Sequence, residues 1–447
     1  MADKYQQFTT TPVGKFLTSK LGLPEPPVLR RYSPGQPPLE GPALLGAAPN
    51  GRLEKTLATQ LGNAGIQVLR SASEASRYGA LVFDATGITD PSELRELHAF
   101  FHPVIRNIGH SGRVVVLGTP PEQVSGRERI AQRALEGFTR TVGKELKRGA
   151  TSQLLYVAAG AEEVAESTLR FLLSAKSAFV DGQVIRVGAT GTTTVSAPES
   201  WEKPLDGKTA LVTGASRGIG ASIAEVLARD GAHVVALDIP AQGADLSAVA
   251  NRTGGSALQL DITAADAPDR LAEYLTERHG GVDVVVHNAG ITRDKTLAKL
   301  SEAQWDSVLT VNLAAQLAVN DKLLADDVLR DNGRIVGVSS IAGISGNVGQ
   351  ANYATSKAGV IGMVDDYAAR MAERGATINA VAPGFIETQM TAAVPLMIRE
   401  FGRRLSSLSQ GGLPVDVAET VAWYANPAST AVNGNVVRVC GQGFLGA

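Results

Sequence analysis

Four segments of this chain occur twice, in the same order. "YGALVFDATGIT" (78–89) resembles "VDVVVHNAGIT" (282–292), and "GRVVVLGT" (112–119) resembles "GRIVGVSS" (333–340). "KRGATSQLLYVAAG" (147–160) resembles "ERGATINAVAPG" (373–384), and "AFVDGQVIRVG" (178–188) resembles "TAVNGNVVRVC" (430–440). Four ordered matches imply two copies of one fold, and 447 residues is a length at which two domains are the natural expectation. Between the copies, "ATGTTTVSAPESWEKP" (189–204) is rich in Thr, Ser and Pro and has no apolar period, so it reads as a linker. The expected division is a first domain at 1–195, a linker at 196–204 and a second domain at 205–447.

The second copy reads clearly. "KTALVT" (208–213) is a short continuous apolar run, as expected of a strand buried on both faces. The turn "GASRGIG" follows, then a helix over about 219–230, stopped by Gly231. "HVVALD" (233–238), "VDVVVH", "GRIVGV" and "TINAVA" supply further strands between helical stretches. Alternation of this kind implies an α/β fold with doubly wound parallel sheets.

Gly214, Gly218 and Gly220 sit between the first strand and the first helix, spaced G-x-x-x-G-x-G. In such a turn, backbone N–H groups at a helix N-terminus present partial positive charge, and absent side chains let a pyrophosphate approach. The turn residues Gly214, Ser216, Arg217, Gly218, Ile219 and Gly220 are therefore candidate dinucleotide contacts. Asp238 closes the second strand, eighteen residues beyond Gly220. A carboxylate there can accept from ribose hydroxyls and would repel a 2′-phosphate, which points to NAD, with NADH preferred over NADPH. Arg217 pulls the other way, since a guanidinium can pair with that phosphate. Asp261, followed by Ile262, either meets the adenine edge or caps a helix. Tyr353 and Lys357 are four residues apart in "NVGQANYATSKAG", a spacing that puts both on one helix face. An ammonium fixed beside a phenol favours the phenolate, so a lowered tyrosine pKa is expected.

With the glycine turn, "HNAG" (287–290), Asn312 in "VNL", Ser339–Ser340, Y-x-x-x-K and "PGFIET" (383–388) in order, residues 205–447 resemble the short-chain dehydrogenase/reductase family. Within it they are similar to 3-oxoacyl-acyl-carrier-protein reductases, and the double arrangement is similar to the high-molecular-weight actinobacterial type. The resemblance implies two Rossmann-like units, the first degenerate, and a catalytic tetrad at Asn312, Ser340, Tyr353 and Lys357. Ser340 rather than Ser339 stands thirteen residues before the tyrosine, as the family requires. It implies NADH-dependent reduction of 3-oxoacyl thioesters of acyl carrier protein or coenzyme A in fatty acid metabolism. Tyr353 would be the proton donor, Ser340 the alkoxide's partner, Lys357 the holder of the nicotinamide ribose and Asn312 the anchor of a water. Asn288, Ala289 and Gly290 would line the adenosine side; Pro383, Gly384, Ile386 and Thr388 would contact the nicotinamide. His287 stands where the family usually has a second Asn, a swap read as structural. The tetrad would serve a free ketone, alcohol or quinone equally well, whereas a dinucleotide-binding scaffold would be expected to carry a broken one. A homodimer through helices around 312–330 and 353–372 is expected.

The first copy lacks these groups. Glu128 aligns with Tyr353, Gln132 with Lys357 and Thr119 with Ser340, and its turn has Gly46 and Gly51 without the triple spacing. A bracing role is expected, with a docking surface as the alternative. His98, His102 and His110 lack suitably spaced Cys or acidic companions, so no metal is expected. After "PGFIET", residues 389–414 read as a mobile lid. Met390, Leu396, Met397 and Ile398 either face an acyl chain or pack the lid down. Arg399, Arg403 and Arg404 either meet phosphates or form a solvated face. A net charge of -2 gives no field that would attract nucleic acid or an anionic membrane. A single cysteine, Cys440, a polar N-terminal stretch and the lack of a long apolar run point to a soluble cytoplasmic protein.

Overall fold

The computed structural model describes residues 4–21, 23, 25–72, 77–195, 197–392 and 396–443. By their contacts the residues fall into two compact units: Met1–Ala189 with Gly384–Asp416 and Val439–Ala447, and Thr190–Pro383 with Val417–Arg438. These units depart from the linear division at 195 and 205 in two respects, the first being that the second unit begins at Thr190. The second is that segments 384–416 and 439–447, late in the sequence, pack as part of the first unit.

The first unit holds six strands: β1 (Ala43–Ala47), β2 (Val68–Leu69), β3 (Tyr78–Asp84), β4 (Ile108–Gly118), β5 (Thr151–Val157) and β6 (Val184–Val187). Their order is β2-β1-β3-β4-β5-β6 with parallel pairing. Every residue of β3 and β5 is buried, as expected of parallel strands covered on both faces. The first five strands follow the flavodoxin-like order.

The second sheet has seven strands: β7 (Thr209–Thr213), β8 (His233–Asp238), β9 (Ser256–Gln259), β10 (Val282–His287), β11 (Leu329–Val338), β12 (Thr377–Pro383) and β13 (Val436–Val439). The order β13-β12-β11-β10-β7-β8-β9 is the Rossmann arrangement with one added strand. The strand order reverses between β7 and β10, so the loops leaving those two strands open the crevice in which such folds bind ligands. The helix after the glycine turn spans Gly218–Arg229, one residue earlier at each end than the sequence suggests.

The two copies share a buried polar frame. Asn379 donates to Val432 O (2.8 Å) and accepts from Asn435 N (2.9 Å). At the matching place Gln153 donates to Val180 O (2.5 Å) and accepts from Gln183 N (3.0 Å). Arg334 donates to the carbonyls of Asn332 (2.6 Å) and Pro427 (3.1 Å), and Arg113 to those of Ser111 (2.7 Å) and Ser174 (3.1 Å). Both guanidiniums are buried and tie strand starts to a neighbouring loop.

Candidate active site

The glycine turn leaves β7 with Gly214 at φ +65° and Gly218 at φ +60°, backbone that side chains rarely adopt. A Cβ on Gly220 would lie 2.1 Å from Gly214 O and 2.4 Å from Asn288 Nδ2, so only glycine fits. Asn288 Nδ2 donates to the carbonyls of Thr213 and Gly214, both at 3.0 Å. The Thr213 hydroxyl accepts from the backbone N–H groups of Asn288 and Ala289, both at 3.1 Å. Asn288 and Ala289 thus act by fixing the turn. Thr213, which the sequence did not single out, is their partner, and its place just before the turn was the available signal. Arg217 precedes the helix in extended conformation and makes no side-chain cap, leaving the helix N–H groups to an anion. This cradle fits a dinucleotide pyrophosphate.

Asp238 stands at the rim of the turn: Oδ2 accepts from Ser216 N (3.1 Å) and Oδ1 from Ile239 N (2.9 Å). Arg217 is exposed. Asp261 is exposed and accepts from Thr263 N (2.9 Å) and Oγ1 (2.7 Å), a local turn rather than a cap of the helix Ala267–His279; Ile262 is buried.

The structure brings all four tetrad residues to one end of the sheet. Asn312 is fully buried in a π-helical turn at Thr310–Ala314, a backbone irregularity frequent at functional sites. Its side chain bonds Ile291 through both atoms (Oδ1 from N, 2.8 Å; Nδ2 to O, 3.0 Å) and donates to Ser356 Oγ (3.1 Å). Ser340 Oγ accepts from Ala342 N (3.1 Å). Lys357 Nζ donates to Val338 O (2.7 Å) and lies 5.7 Å from the Tyr353 ring centroid. A Cβ on Gly290 would stand 3.4 Å from Asn312 Oδ1 and 3.5 Å from Lys357 Nζ, so this glycine keeps the space between them open. Ser339 has a positioning task, donating to Lys357 O at 2.7 Å.

The expected lowering of the Tyr353 pKa is not what this geometry gives. Burial is the dominant influence and pushes the phenol up; the Ser340 hydrogen bond pulls it down. The same burial lowers the Lys357 ammonium to about 8. His287, buried, bonds Asn320 Oδ1 through Nε2 (2.7 Å), and desolvation lowers its pKa to about 4, so it is a neutral structural group.

Pro383 ends β12 and its carbonyl accepts from Ile341 N (3.1 Å). Gly384 lies where a Cβ would meet Cys440 Cβ at 2.6 Å, and Ile386 is buried. Thr388 N donates to Thr391 Oγ1 (2.9 Å). Neither sequence reading of the three lid arginines describes Arg403, which is 5% exposed and paired with Glu387 and Glu400. Arg404 bonds Ser409 O (2.8 Å) and Glu400 (3.1 Å). Arg399 donates to Ala392 O (3.3 Å). Met397 is 80% exposed; the side chains of Met390, Leu396 and Ile398 lie outside the described part of the structure.

In the first unit the equivalent places are filled. Gln132, at the position of Lys357, is fully buried; it accepts from Thr119 N (2.8 Å) and donates to Ala85 O (3.0 Å) and Ile88 O (2.8 Å). The helix Glu54–Asn63 begins with Leu53 N donating to the buried Asp84 carboxylate (2.7 Å). That carboxylate takes the place at which the second unit offers N–H groups to an anion, and a Cβ on Gly51 would lie 2.6 Å from it. His98 and His102 stack at 4.6 Å, and among the described residues no group of three His, Cys, Asp or Glu could hold a metal. Among the described residues no helix is long and apolar enough to cross a membrane. A cavity of about 420 Å³ borders Lys208, Asp283 and Arg334 at the N-terminal ends of β7, β10 and β11, the opposite end from the tetrad.

Residues 214–443 match the model of a family described as Enoyl-(Acyl carrier protein) reductase. A 3-oxoacyl-[acyl-carrier-protein] reductase FabG of Vibrio cholerae is 40% identical over 243 residues, covering 54% of this chain and 99% of the relative. The FabG of Thermotoga maritima is 41% identical over 240 residues, covering 53% and 98%. Among solved structures, angucycline C-6 ketoreductase LanV with bound NADP aligns with TM-score 0.51 at 30% identity, covering 54% of this chain and 98% of that one. With the glycine cradle and the Ser340–Tyr353–Lys357 cluster beside it, these likenesses make the chain a member of the short-chain dehydrogenase/reductase family, an oxidoreductase dependent on a nicotinamide dinucleotide.

Proposed function

We propose that this chain reduces 3-oxoacyl thioesters of acyl carrier protein or coenzyme A to 3-hydroxyacyl thioesters, with NADH as the preferred reductant. The observation that carries this reading is the cluster at one end of the sheet, where the buried Lys357 Nζ lies 5.7 Å from the Tyr353 ring and Ser340 acts on the Tyr353 phenol. The substrate class is supported by the FabG relatives named above.

The cofactor would be held by the turn 214–220, by Asp238 at its ribose, by Asn288–Gly290 and Ile262 around the adenosine, and by Pro383, Gly384, Ile386 and Thr388 at the nicotinamide. Reduced nicotinamide supplies a hydride to the substrate's C3 carbon. Tyr353 donates its proton to the C3 oxygen, which becomes the hydroxyl, and is left as phenolate until resupplied. A phenol kept protonated by burial suits a donor at neutral pH. Ser340 donates a hydrogen bond to the same oxygen as negative charge gathers there. Lys357 keeps positive charge next to the Tyr353 phenolate, and Asn312, held on three sides, fixes the helix turn on which a water could sit.

Asp238 supports NADH because its carboxylate, already oriented by Ser216 N, would face a 2′-phosphate with like charge. A second reading, reduction of a free ketone, is favoured by the likeness to the ketoreductase LanV. The test is loss of reduced-nicotinamide absorbance with acetoacetyl-CoA, NADH and NADPH side by side. Rapid NADH oxidation supports the proposal; turnover with NADPH alone would shift cofactor choice from Asp238 to Arg217. No turnover with either would move the substrate to a free ketone or an obligatory carrier. A cytoplasmic homodimer completes the reading and is checked by sedimentation of the purified chain.

A further inference from the structure

The chain leaves β12 at Pro383, passes the nicotinamide-contact residues 384–388 and then runs a long excursion before the helix Pro414–Ala425. Among the described side chains of 384–413, Met397 is 80% and Phe401 66% exposed, while Ile386 and Leu408 are buried. Polar anchors also hold it. Arg403, on the helix Leu396–Arg404, pairs with the Glu387 carboxylate (Nη2–Oε2 2.8 Å), beside Thr388. Gly412 N donates to Phe385 O (2.9 Å) and Glu387 N to Gly412 O (2.8 Å).

The other anchors come from the N-terminal end of the chain, in the same compact unit. Arg31 forms two parallel bonds to Asp416 (Nε–Oδ1 and Nη2–Oδ2, both 2.9 Å), whose side chain is 3% exposed and also accepts from Leu413 N (2.7 Å). Gln410 Nε2 donates to Pro27 O (2.7 Å), and Gln6 Nε2 donates to Pro27 O (2.8 Å) and Gln410 Oε1 (3.3 Å). The Arg404 guanidinium lies over the Tyr5 ring at 4.6 Å. Fork-to-fork Arg–carboxylate pairing fixes direction as well as distance, and a buried Asp416 left alone would be costly, so Arg31 is a strong determinant of where this segment stops.

We propose that Tyr5, Gln6, Pro27 and Arg31 position residues 404–416, the later part of the substrate segment of the reductase. The non-catalytic half then sets affinity for the acyl substrate while leaving the proton-transfer groups untouched. This rests on the thioester-reductase reading. It gives the first copy a task that needs none of the lost tetrad residues, and it makes Arg31 and Gln410 positioning residues.

The test uses the full chain, with Arg31→Met, Arg31→Lys and Gln410→Leu. Arg31→Met should raise KM for acetoacetyl-CoA about tenfold, with kcat and NADH affinity changed less than about twofold. Arg31→Lys should restore part of the loss, because it returns the charge without the fork. Should Arg31→Met fail to fold, Gln410→Leu, which strands no buried charge, should show the same direction at smaller size. Unchanged KM in a folded Arg31→Met or Gln410→Leu protein overturns the proposal, as does a loss confined to kcat. Amide hydrogen exchange over 396–413 reads the positioning without any substrate and should quicken in the variants. Wild type inactive on thioesters but with exchange quickened in Arg31→Met would sink the substrate reading and keep the clamp; exchange unchanged would sink the clamp.

Discussion

Asp181→Asn probes how far the two copies still share one hydrogen-bond frame. Asp181 stands where Asn433 stands in the second copy. Its Oδ1 accepts from Ser152 N (2.8 Å), as Asn433 Oδ1 accepts from Ile378 N (2.9 Å). The other atom differs. Asn433 Nδ2 donates to Ala368 O (2.7 Å), whereas Asp181 Oδ2 is buried without a hydrogen-bond partner, 3.2 Å from where a Cβ on Gly143 would stand. Gly143 aligns with Ala368, so an acceptor occupies a place suited to a donor. Burial raises the Asp181 carboxyl from 3.8 to about 7, although the Ser152 and Gly182 N–H groups and the Arg113 guanidinium pull it down. A folded pKa above the unfolded one means stability that is complete below about 3.8 and is lost as pH rises through about 7. Across that span the loss is on the order of 4 kcal/mol. Asparagine cannot ionise and brings an N–H, so the variant should be the more stable protein, with its advantage growing by about 2–3 kcal/mol between roughly pH 5 and pH 8. In calorimetry that is a widening gap of several degrees. The mirror variant, Asn433→Asp, should lose stability over the same range. An Asp181→Asn advantage that does not change with pH, or a less stable variant at the upper pH, would refute the reasoning.

Tyr353→Phe should lower kcat by about 10²–10⁴-fold while the protein still binds NADH by fluorescence; near-wild-type turnover would remove the donor role. Asp238→Ala should weaken NADH and improve NADPH, read as KM for each; an unchanged ratio would place the choice elsewhere. Lys357→Met should abolish turnover yet raise the thermal midpoint near neutral pH. Burial holds its ammonium at about 8 instead of 10.5, a cost of about 3 kcal/mol, while losing the bond to Val338 O returns only about 1. That advantage should fade as pH climbs from about 8 towards 10.5, where the unfolded lysine also loses its proton; a variant less stable at pH 7 contradicts the balance.

What the sequence made legible was what repeats or what geometry forbids. The strands at 233–238 and 282–287 agree with their sequence reading because continuous apolar runs mark parallel strands buried on both faces. The glycine turn was readable because a Cβ at Gly220 would strike Gly214 O. The Tyr353 pKa was not, since a charge at helical spacing suggests depression while burial, which no spacing reveals, works the other way. Arg403 was misread for a similar reason: its partner Glu387 lies sixteen residues earlier, outside any helix period. Among the contacts that join 384–416 to the first unit, Arg31 meets Asp416 across 385 residues of chain, a pairing without local signature.

The same balance explains which parts of the duplication survived. Gln153, Asp181 and Arg113 keep the frame built by Asn379, Asn433 and Arg334, because each satisfies buried backbone groups that exist wherever this sheet exists. Lys357 is different. Its buried charge has one hydrogen bond to Val338 O and lowers stability at neutral pH, so it is worth keeping only where it serves chemistry. In the first copy Gln132 takes its place with three hydrogen bonds and no charge. Asp84, aimed at the start of the helix 54–63, likewise supplies from within the anion that the second copy must bind from solution. In a copy that needs no cofactor both changes stabilise, and neither touches the compact unit that also contains Gly384–Asp416.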